Sequence, residues 1–235
     1  MRRLHFPSLV LLVAFSLLGG CSAFQSPKLY TLDSGNPEIP ERNGVAVLLD
    51  PVELADYLKR DTALVQRNAD GSLSTVRHAE WAGDLQGNID QLLLRQLAWR
   101  LGSQRLALEP AQGFKPDVTV EVSVSRLDSG PEQPVVLEAQ WRLLDRQGQL
   151  SDSRLVQLQE IHSGTIADQV RAQSAVLQRL ADQMAQAIRP LAQRPASQAS
   201  RKTAQRSRPK VVIPQPAEPA IPMATPTRNV EVYRF

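Results

Sequence analysis

Cysteine is almost absent from this chain of 235 residues, which contains one, Cys21. Without a second cysteine an intramolecular disulfide is excluded, and an exported protein rarely leaves an exposed thiol without a purpose. Aromatic side chains are also few, at 5% of the residues, and the charge is mixed, with a net value of +3. The composition therefore indicates an ordinary globular domain with one hydrophobic core.

Catalytic motifs are missing as well. The three histidines are isolated from one another at His5, His78 and His162. The sequence has no Gly-x-Ser-x-Gly elbow, no phosphate-binding glycine loop and no His-Glu-x-x-His pair. A metal site made from histidines and carboxylates distant in sequence stays open, although no spacing indicates one. We predict a protein that is not an enzyme, with no catalytic residue and no metal ligand.

The first 20 residues are typical of a bacterial export signal. Arg2 and Arg3 precede an apolar run that ends in small residues. The run is too short for a good membrane span, which needs roughly 20 apolar residues. Leu-Gly-Gly-Cys at residues 18–21 resembles a lipobox, where a diacylglycerol is joined to the cysteine sulfur before the signal is removed. We predict signal residues 1–20 and a lipid attachment site at Cys21.

The predicted anchor consists of the diacylglycerol and an N-acyl chain, palmitate, on Cys21, with no other cofactor. Each buried CH₂ group contributes about 0.8 kcal/mol to membrane binding. The next residue is Ser22 and not aspartate. By resemblance to enterobacterial sorting rules, this favours the periplasmic face of the outer membrane over the inner membrane.

The last segment, residues 192–235, differs in composition from the rest. It is rich in proline and carries eight basic and two acidic side chains, so the remaining mature chain is mildly acidic. Such a segment cannot bury a core, and we predict a disordered tail. Basic residues confined to a tail argue against nucleic acid as the main partner. A solvated linker and a contact with anionic headgroups or cell-wall polymer both stay open.

Periodicity places the secondary structure within residues 44–191, after an anchor and linker segment at 21–43 with a short strand. A continuous apolar run at 45–49 predicts a buried central strand, and Asp70-Gly71 predicts a hairpin turn. Apolar residues recur at helical spacing over 84–103 and 166–188, with Asp84 and Thr165 as N-caps. Pro190 predicts the end of the second helix.

Two further segments alternate apolar and polar residues, at 117–127 and 135–143, and a turn at 145–149 leads into a third strand-like run at 154–162. Their short connections predict an antiparallel meander with one face covered by helices and one polar face. The predicted fold is α/β of the α+β kind: a mainly antiparallel sheet with two long amphipathic helices packed on it.

Several stretches in order resemble the PqiC/YmbA family of ABC-type transport auxiliary lipoproteins. They are the lipobox, Leu-Tyr-Thr-Leu at 29–32, the run from 45 to 54 with Tyr-Leu-Lys-Arg at 57–60, Leu-Val-Gln-Arg at 64–67, His-Ala-Glu-Trp-Ala at 78–82, Glu-Ala-Gln-Trp at 138–141, and the last helix. The chain departs from the family pattern at Ala55 and Lys59, where proline and an acidic residue are usual. The segment before Leu64 is one residue longer, and the tail lies outside the pattern.

The resemblance implies a lipoprotein that assists an ABC permease and ATPase together with an MCE-domain protein in moving lipid between membranes, and so supports envelope integrity. For a partner surface we single out Tyr57, Arg60 and Trp81, although core packing is the default role of a tryptophan. Two alternatives stay open: a periplasmic lipid carrier, which needs a large apolar cavity, and a structural lipoprotein that holds the cell wall through its tail. The sequence does not decide whether the protein forms a homo-oligomer.

Overall fold

The structure, a computed structural model, describes residues 26–35, 38, 40, 44–60 and 62–192. The predicted signal, the lipid site at Cys21 and the tail beyond Ala192 lie outside the described residues. Within the described part, the chain forms nine strands, two α-helices and one 3-10 helix. The strands are β1 Lys28–Tyr30, β2 Val47–Leu49, β3 Glu53–Leu54, β4 Ala63–Arg67, β5 Leu73–Trp81, β6 Leu106–Ala107, β7 Val118–Asp128, β8 Val135–Asp145 and β9 Leu150–Glu160; the helices are α1 Leu85–Leu101, α2 Ile166–Ala192 and the 3-10 helix Asp56–Leu58.

The predicted meander is confirmed. Strand β7 pairs antiparallel with β8, and β8 pairs antiparallel with β9. The alternating valines of β7, from Val118 to Val124, are all buried, whereas Ser123 and Ser125 between and beside them are exposed. One face of the sheet is therefore apolar and lies under the helices, and the other is polar, as the alternation predicts.

Short parallel strands extend this sheet, which has the order β6-β2-β7-β8-β9 with β3 also paired to β7. Strand β2 lies between β6 and β7 in parallel with both, and its three side chains are buried, as predicted for the apolar run at 45–49. The long strands are antiparallel and the short ones are parallel, so the α+β class is confirmed. Periodicity does not reveal pairing direction, and these parallel pairs were not predicted.

A second sheet of three strands has the order β1-β5-β4. Strands β4 and β5 form the predicted hairpin, and Gly71 in its turn has φ +85°, a conformation that favours glycine. Strand β1 lies parallel to β5 at the edge, with Lys28 opposite Ala79 and Tyr30 opposite Trp81. Three extra residues of β5 bulge from the β4 ladder, and His78 within this bulge has φ +59°.

Helix α1 begins and ends as its sequence predicts. The Asp84 side chain accepts a hydrogen bond from the Gly87 N–H at 2.6 Å, and Gly102 ends the helix in the left-handed conformation with φ +61°. Asp90 of α1 is a buried acidic residue, and its carboxylate accepts a 2.9 Å hydrogen bond from the Val52 N–H. Burial raises the pKa of Asp90 above its ordinary value.

Helix α2 covers the meander and packs against α1. Its apolar stripe is buried as predicted, and Arg100 of α1 forms an ion pair with Asp182 of α2 at 2.9 Å. The predicted end of α2 is wrong, because the helix continues through Pro190 to Ala192. Proline is tolerated there because it lies in the last turn, where it removes a single helical hydrogen bond.

The core between helices and sheet gives a first prediction. Leu180 of α2 is fully buried, so Leu180→Ala should lower the free energy of unfolding by about 3 kcal/mol, through lost burial and the cavity left behind. The matched variant Leu155→Ala, at a β9 side chain that is 84% exposed, should change it by less than about 0.5 kcal/mol. Urea unfolding of the two variants measures both values, and equal losses would contradict this packing.

Candidate functional site

The turn between β3 and β4 holds two of the predicted partner residues. It begins with the 3-10 helix, in which Leu58 is buried and Tyr57 is half buried. Asp56, Lys59 and Arg60 are exposed, and the first two form a surface ion pair at 3.3 Å. Among the residues of the turn that the structure describes, Tyr57 and Leu58 therefore hold it to the domain, and Asp56, Lys59 and Arg60 face solvent.

The anchor of Tyr57 is a buried carboxylate at the end of β7. Asp128 has a side chain that is 0% exposed, and the Tyr57 hydroxyl donates to its Oδ2 at 2.8 Å. Arg67 donates to both carboxylate oxygens, from Nε at 2.9 Å and Nη2 at 2.7 Å, and Arg126 Nε donates at 3.0 Å. The same tyrosine oxygen accepts the Leu127 N–H at 3.2 Å. We call Tyr57, Arg67, Arg126 and Asp128 the Asp128 node.

The contacts within the node shift the pKa values of Asp128 and Tyr57. Burial by itself raises the pKa of Asp128, but the hydrogen bonds from Arg67, Tyr57 and Arg126 outweigh it and leave the pKa below its ordinary value. For Tyr57, burial and the hydrogen bond to the carboxylate raise the pKa to about 12. Both shifts favour a charged aspartate and a neutral tyrosine at neutral pH.

Local backbone geometry brings the node together. The β7 ladder shifts register between Val124 and Arg126, and beyond this irregularity Leu127 and Asp128 are both buried. The Arg67 N–H donates to the Ser129 carbonyl at 2.8 Å, which closes the end of β4 onto the end of β7. A Cβ at Gly130 would collide with the Arg67 carbonyl oxygen, so only glycine allows this approach.

Three of the four node residues, Arg67, Arg126 and Asp128, were not predicted from the sequence. Arg126 and Asp128 fall on the even-numbered positions that the buried valines of β7 occupy, where the alternation predicts apolar side chains. This break in the pattern was the available signal. It does not show that the register shifts at this point, or that Arg67 of β4 lies beside the two residues.

The predicted site residues have different surroundings. Tyr57 and Arg60 lie in the same turn, Tyr57 partly inside and Arg60 outside. Trp81 is 3% exposed and belongs to the core, in agreement with the default role of a tryptophan, and so offers no surface to a partner. Cys21 lies outside the described residues.

The hydrogen bonds of the node connect structural elements. The Asp128 carboxylate accepts four hydrogen bonds, which come from Tyr57, Arg67 and Arg126. In the part of the chain that the structure describes, no group of His, Cys, Asp and Glu side chains is arranged to hold a metal ion. No helix among the described residues is long and apolar enough to cross a membrane.

Two open clefts lie on the surface of the described residues. One, of about 560 Å³, is beside the start of α1, and the other, of about 380 Å³, is on the polar face of the sheet near Glu121 and Arg142. Polar side chains predominate in both. The space between helices and sheet is filled by core side chains such as Trp141 and Leu177, which are fully buried. Neither cleft has the apolar character that a lipid carrier needs.

The family model described as "ABC-type transport auxiliary lipoprotein component" matches residues 30–185. The chain belongs to this family. The resemblance to PqiC/YmbA proteins is thereby confirmed, and the family is one of lipoproteins that assist ABC-type transport. No curated protein matches the chain in a sequence search.

Two solved structures share the fold of this family member. A crystal structure of an uncharacterized protein is 20% identical, with a TM-score of 0.59, and the match covers 69% of this chain and 99% of that one. Protein XCC0632 from Xanthomonas campestris, of family DUF330, is 16% identical, with a TM-score of 0.54 and coverage of 77% and 98%. The PelC dodecamer from Paraburkholderia phytofirmans is 12% identical with a TM-score of 0.39 and coverage of 65% and 90%, too distant to support an argument.

The Asp128 node gives a prediction for this family member under acid. Because the pKa of Asp128 is lowered by folding, its contribution to stability is present above the ordinary value of 3.8 and is lost as pH falls through the folded pKa. In the described part of the chain, Asp128→Asn leaves Arg67 without a carboxylate partner and Arg126 with only Glu138, at 3.8 Å, and should cost roughly 3 kcal/mol at neutral pH. It should also flatten the decline in unfolding free energy between about pH 5 and pH 2.

Urea unfolding at a series of pH values measures both effects. The matched control is Asp56→Asn, because that side chain is fully exposed and pairs only with Lys59 at the surface. We expect the control to keep the stability and acid profile of the unsubstituted protein. An Asp128→Asn variant with the same acid profile as the control would contradict the role of the node.

Proposed function

We propose that this protein is a non-enzymatic lipoprotein subunit of an intermembrane lipid transport system, in which it binds an MCE-domain protein that works with an ABC permease and ATPase. The family match carries the proposal, because it assigns the chain to auxiliary components of ABC-type transport. The moved substrate is a phospholipid or a related lipid, and the role of this subunit is docking without chemistry of its own.

The turn between β3 and β4 supports a docking role. A partner surface needs exposed side chains on a backbone that does not have to be ordered on binding. Asp56, Lys59 and Arg60 are exposed, and Tyr57 in the same turn is held by the buried Asp128 carboxylate. The turn is therefore preorganised, and its charges can steer and orient a partner of complementary charge.

Anchoring at Cys21 fits the same role. A domain attached to the outer membrane by a diacylglycerol and an N-acyl chain can receive a partner that reaches across the periplasm from the inner membrane. Two or more chains are needed for stable attachment, since a single acyl chain binds only marginally. The outer membrane remains our expectation from Ser22.

Arg60 gives a direct test of the partner surface. Arg60→Glu should weaken binding of the MCE-domain partner by about 1 kcal/mol, a factor of about five, because it reverses an exposed charge at the docking turn. Stability should not change, since the side chain is outside the core. Binding of purified full-length proteins in detergent, measured by titration calorimetry, gives the affinity.

The control for this test is Arg95→Glu, which makes the same charge change at an exposed position of α1. It should bind like the unsubstituted protein. Equal weakening by both variants would indicate a general charge effect and would contradict a specific role for the turn.

Membrane attachment and envelope integrity are tested together. Cys21→Ser removes the acceptor sulfur, so the protein should leave the membrane fraction and fail to restore detergent resistance to a strain from which the protein has been deleted. Fractionation and growth in detergent give the two readouts, with the unsubstituted gene as the positive control. Normal resistance and normal lipid asymmetry in the deletion strain would count against the proposed transport role.

A further inference from the structure

The second sheet lies next to the proposed membrane anchor in the chain. Lys28, the first residue of β1, is seven residues after Cys21. A fully extended chain of that length spans at most about 24 Å. A folded domain of this size is roughly 40 Å across, so only part of its surface can face the membrane while Cys21 is embedded. That part must lie near β1.

The direction of β1 further limits which part of the domain surface can face the membrane. It runs parallel to β5, so the chain arrives at Lys28 from the side on which β5 begins. That side carries the hairpin turn between β4 and β5 and the first residues of β5, from Leu73 onward. Lys28 lies opposite Ala79, so Leu73 is six residues further back along β5, about 20 Å away. The connection is long enough to keep both ends of this β5 edge within reach of the bilayer.

Side chains in this region have the chemistry of a membrane interface. Two large apolar side chains are exposed there, Leu29 by 62% and Leu73 by 40%. Lys28 and Arg77 are also exposed on the same two strands. Exposed apolar groups beside cations match a bilayer, because the apolar groups enter the boundary between headgroups and acyl chains while the cations bind lipid phosphates.

We propose that Lys28, Leu29, Leu73 and Arg77, here called the β1–β5 surface, rest on the phospholipid bilayer that holds the acyl chains of Cys21. This inference rests on the proposed lipid attachment. The anchor supplies the membrane affinity, and the β1–β5 surface sets the orientation of the domain. Exposed leucines add apolar burial, and each basic residue near an anionic surface adds electrostatic attraction.

The Asp128 node connects the membrane orientation of the domain to the position of the docking turn. Arg67, the last residue of β4 before the hairpin turn, and Tyr57 in the docking turn donate to the same buried carboxylate. The hairpin and the turn are therefore held in one rigid arrangement. A bilayer contact through β5 then determines the direction in which the turn, with its exposed Arg60, is presented to a partner.

Fluorescence quenching in vesicles tests this surface. Because Cys21 is the single cysteine and lipid attachment consumes its thiol, one introduced cysteine becomes the only labelling site. Thr75→Cys places a bimane label on β5 between Leu73 and Arg77, at an exposed position far from Cys21 in sequence. Leu155→Cys, on a β9 side chain that is 84% exposed, is the matched control. Both full-length lipidated proteins are reconstituted in vesicles of phosphatidylethanolamine and phosphatidylglycerol that carry headgroup nitroxides.

We expect several-fold greater quenching of the label at residue 75 than of the label at residue 155. Adding Leu73→Ser and Arg77→Gln to the Thr75→Cys protein should remove most of this difference while the protein still floats with the vesicles. Equal quenching at both positions, with flotation retained, would overturn the β1–β5 surface and leave the anchor intact. Loss of flotation, with a free thiol at Cys21 in the mass spectrum, would refute the anchor and the surface together.

Discussion

Burial of the Asp128 carboxylate is the constraint on which the arrangement of hairpin, turn and sheet depends. A carboxylate without water is costly unless charged and polar donors replace the water, and here two arginines and a tyrosine do so. The donors come from the turn, the hairpin and β7 itself. Among the described residues, removing the acid would leave Arg67, a partly buried cation, without a carboxylate partner, and Arg126 with only Glu138 at 3.8 Å. This buried charge, together with the backbone hydrogen bond from Arg67 to Ser129, therefore joins the small sheet to the large one.

The large sheet and the two helices form the packed part of the domain to which the Asp128 node attaches the small sheet. Helix α2 buries its apolar stripe on the meander, and α1 packs against α2. This packing leaves the polar face of the sheet, the docking turn and the small sheet at the surface. In the arrangement that we propose, the small sheet faces the membrane and the turn faces the partner, so the large sheet and the helices fix the relative positions of two contact surfaces.

Long periodic elements were predictable because their signals are local. The alternation in β7 and β8, the Asp70-Gly71 turn and the capped helix α1 each follow from side-chain period and turn chemistry. The end of α2 was not predictable to the residue, because helix ends fray and tertiary packing outweighs the penalty of Pro190 in a last turn. The role of Trp81 depends on burial, which distinguishes a core residue from a docking residue of the same type.

The sequence by itself determined the α+β class, the meander, the hairpin, both helices and the family resemblance, because these depend on patterns among residues near one another in the chain. Only the tertiary structure decided the parallel pairing of β2, β3 and β6, the two separate sheets and the Asp128 node. Tyr57 and Asp128 are 71 residues apart, and their contact requires a register shift in β7. Such contacts depend on the packing of the whole domain, because no local pattern records which distant donor will compensate a buried charge.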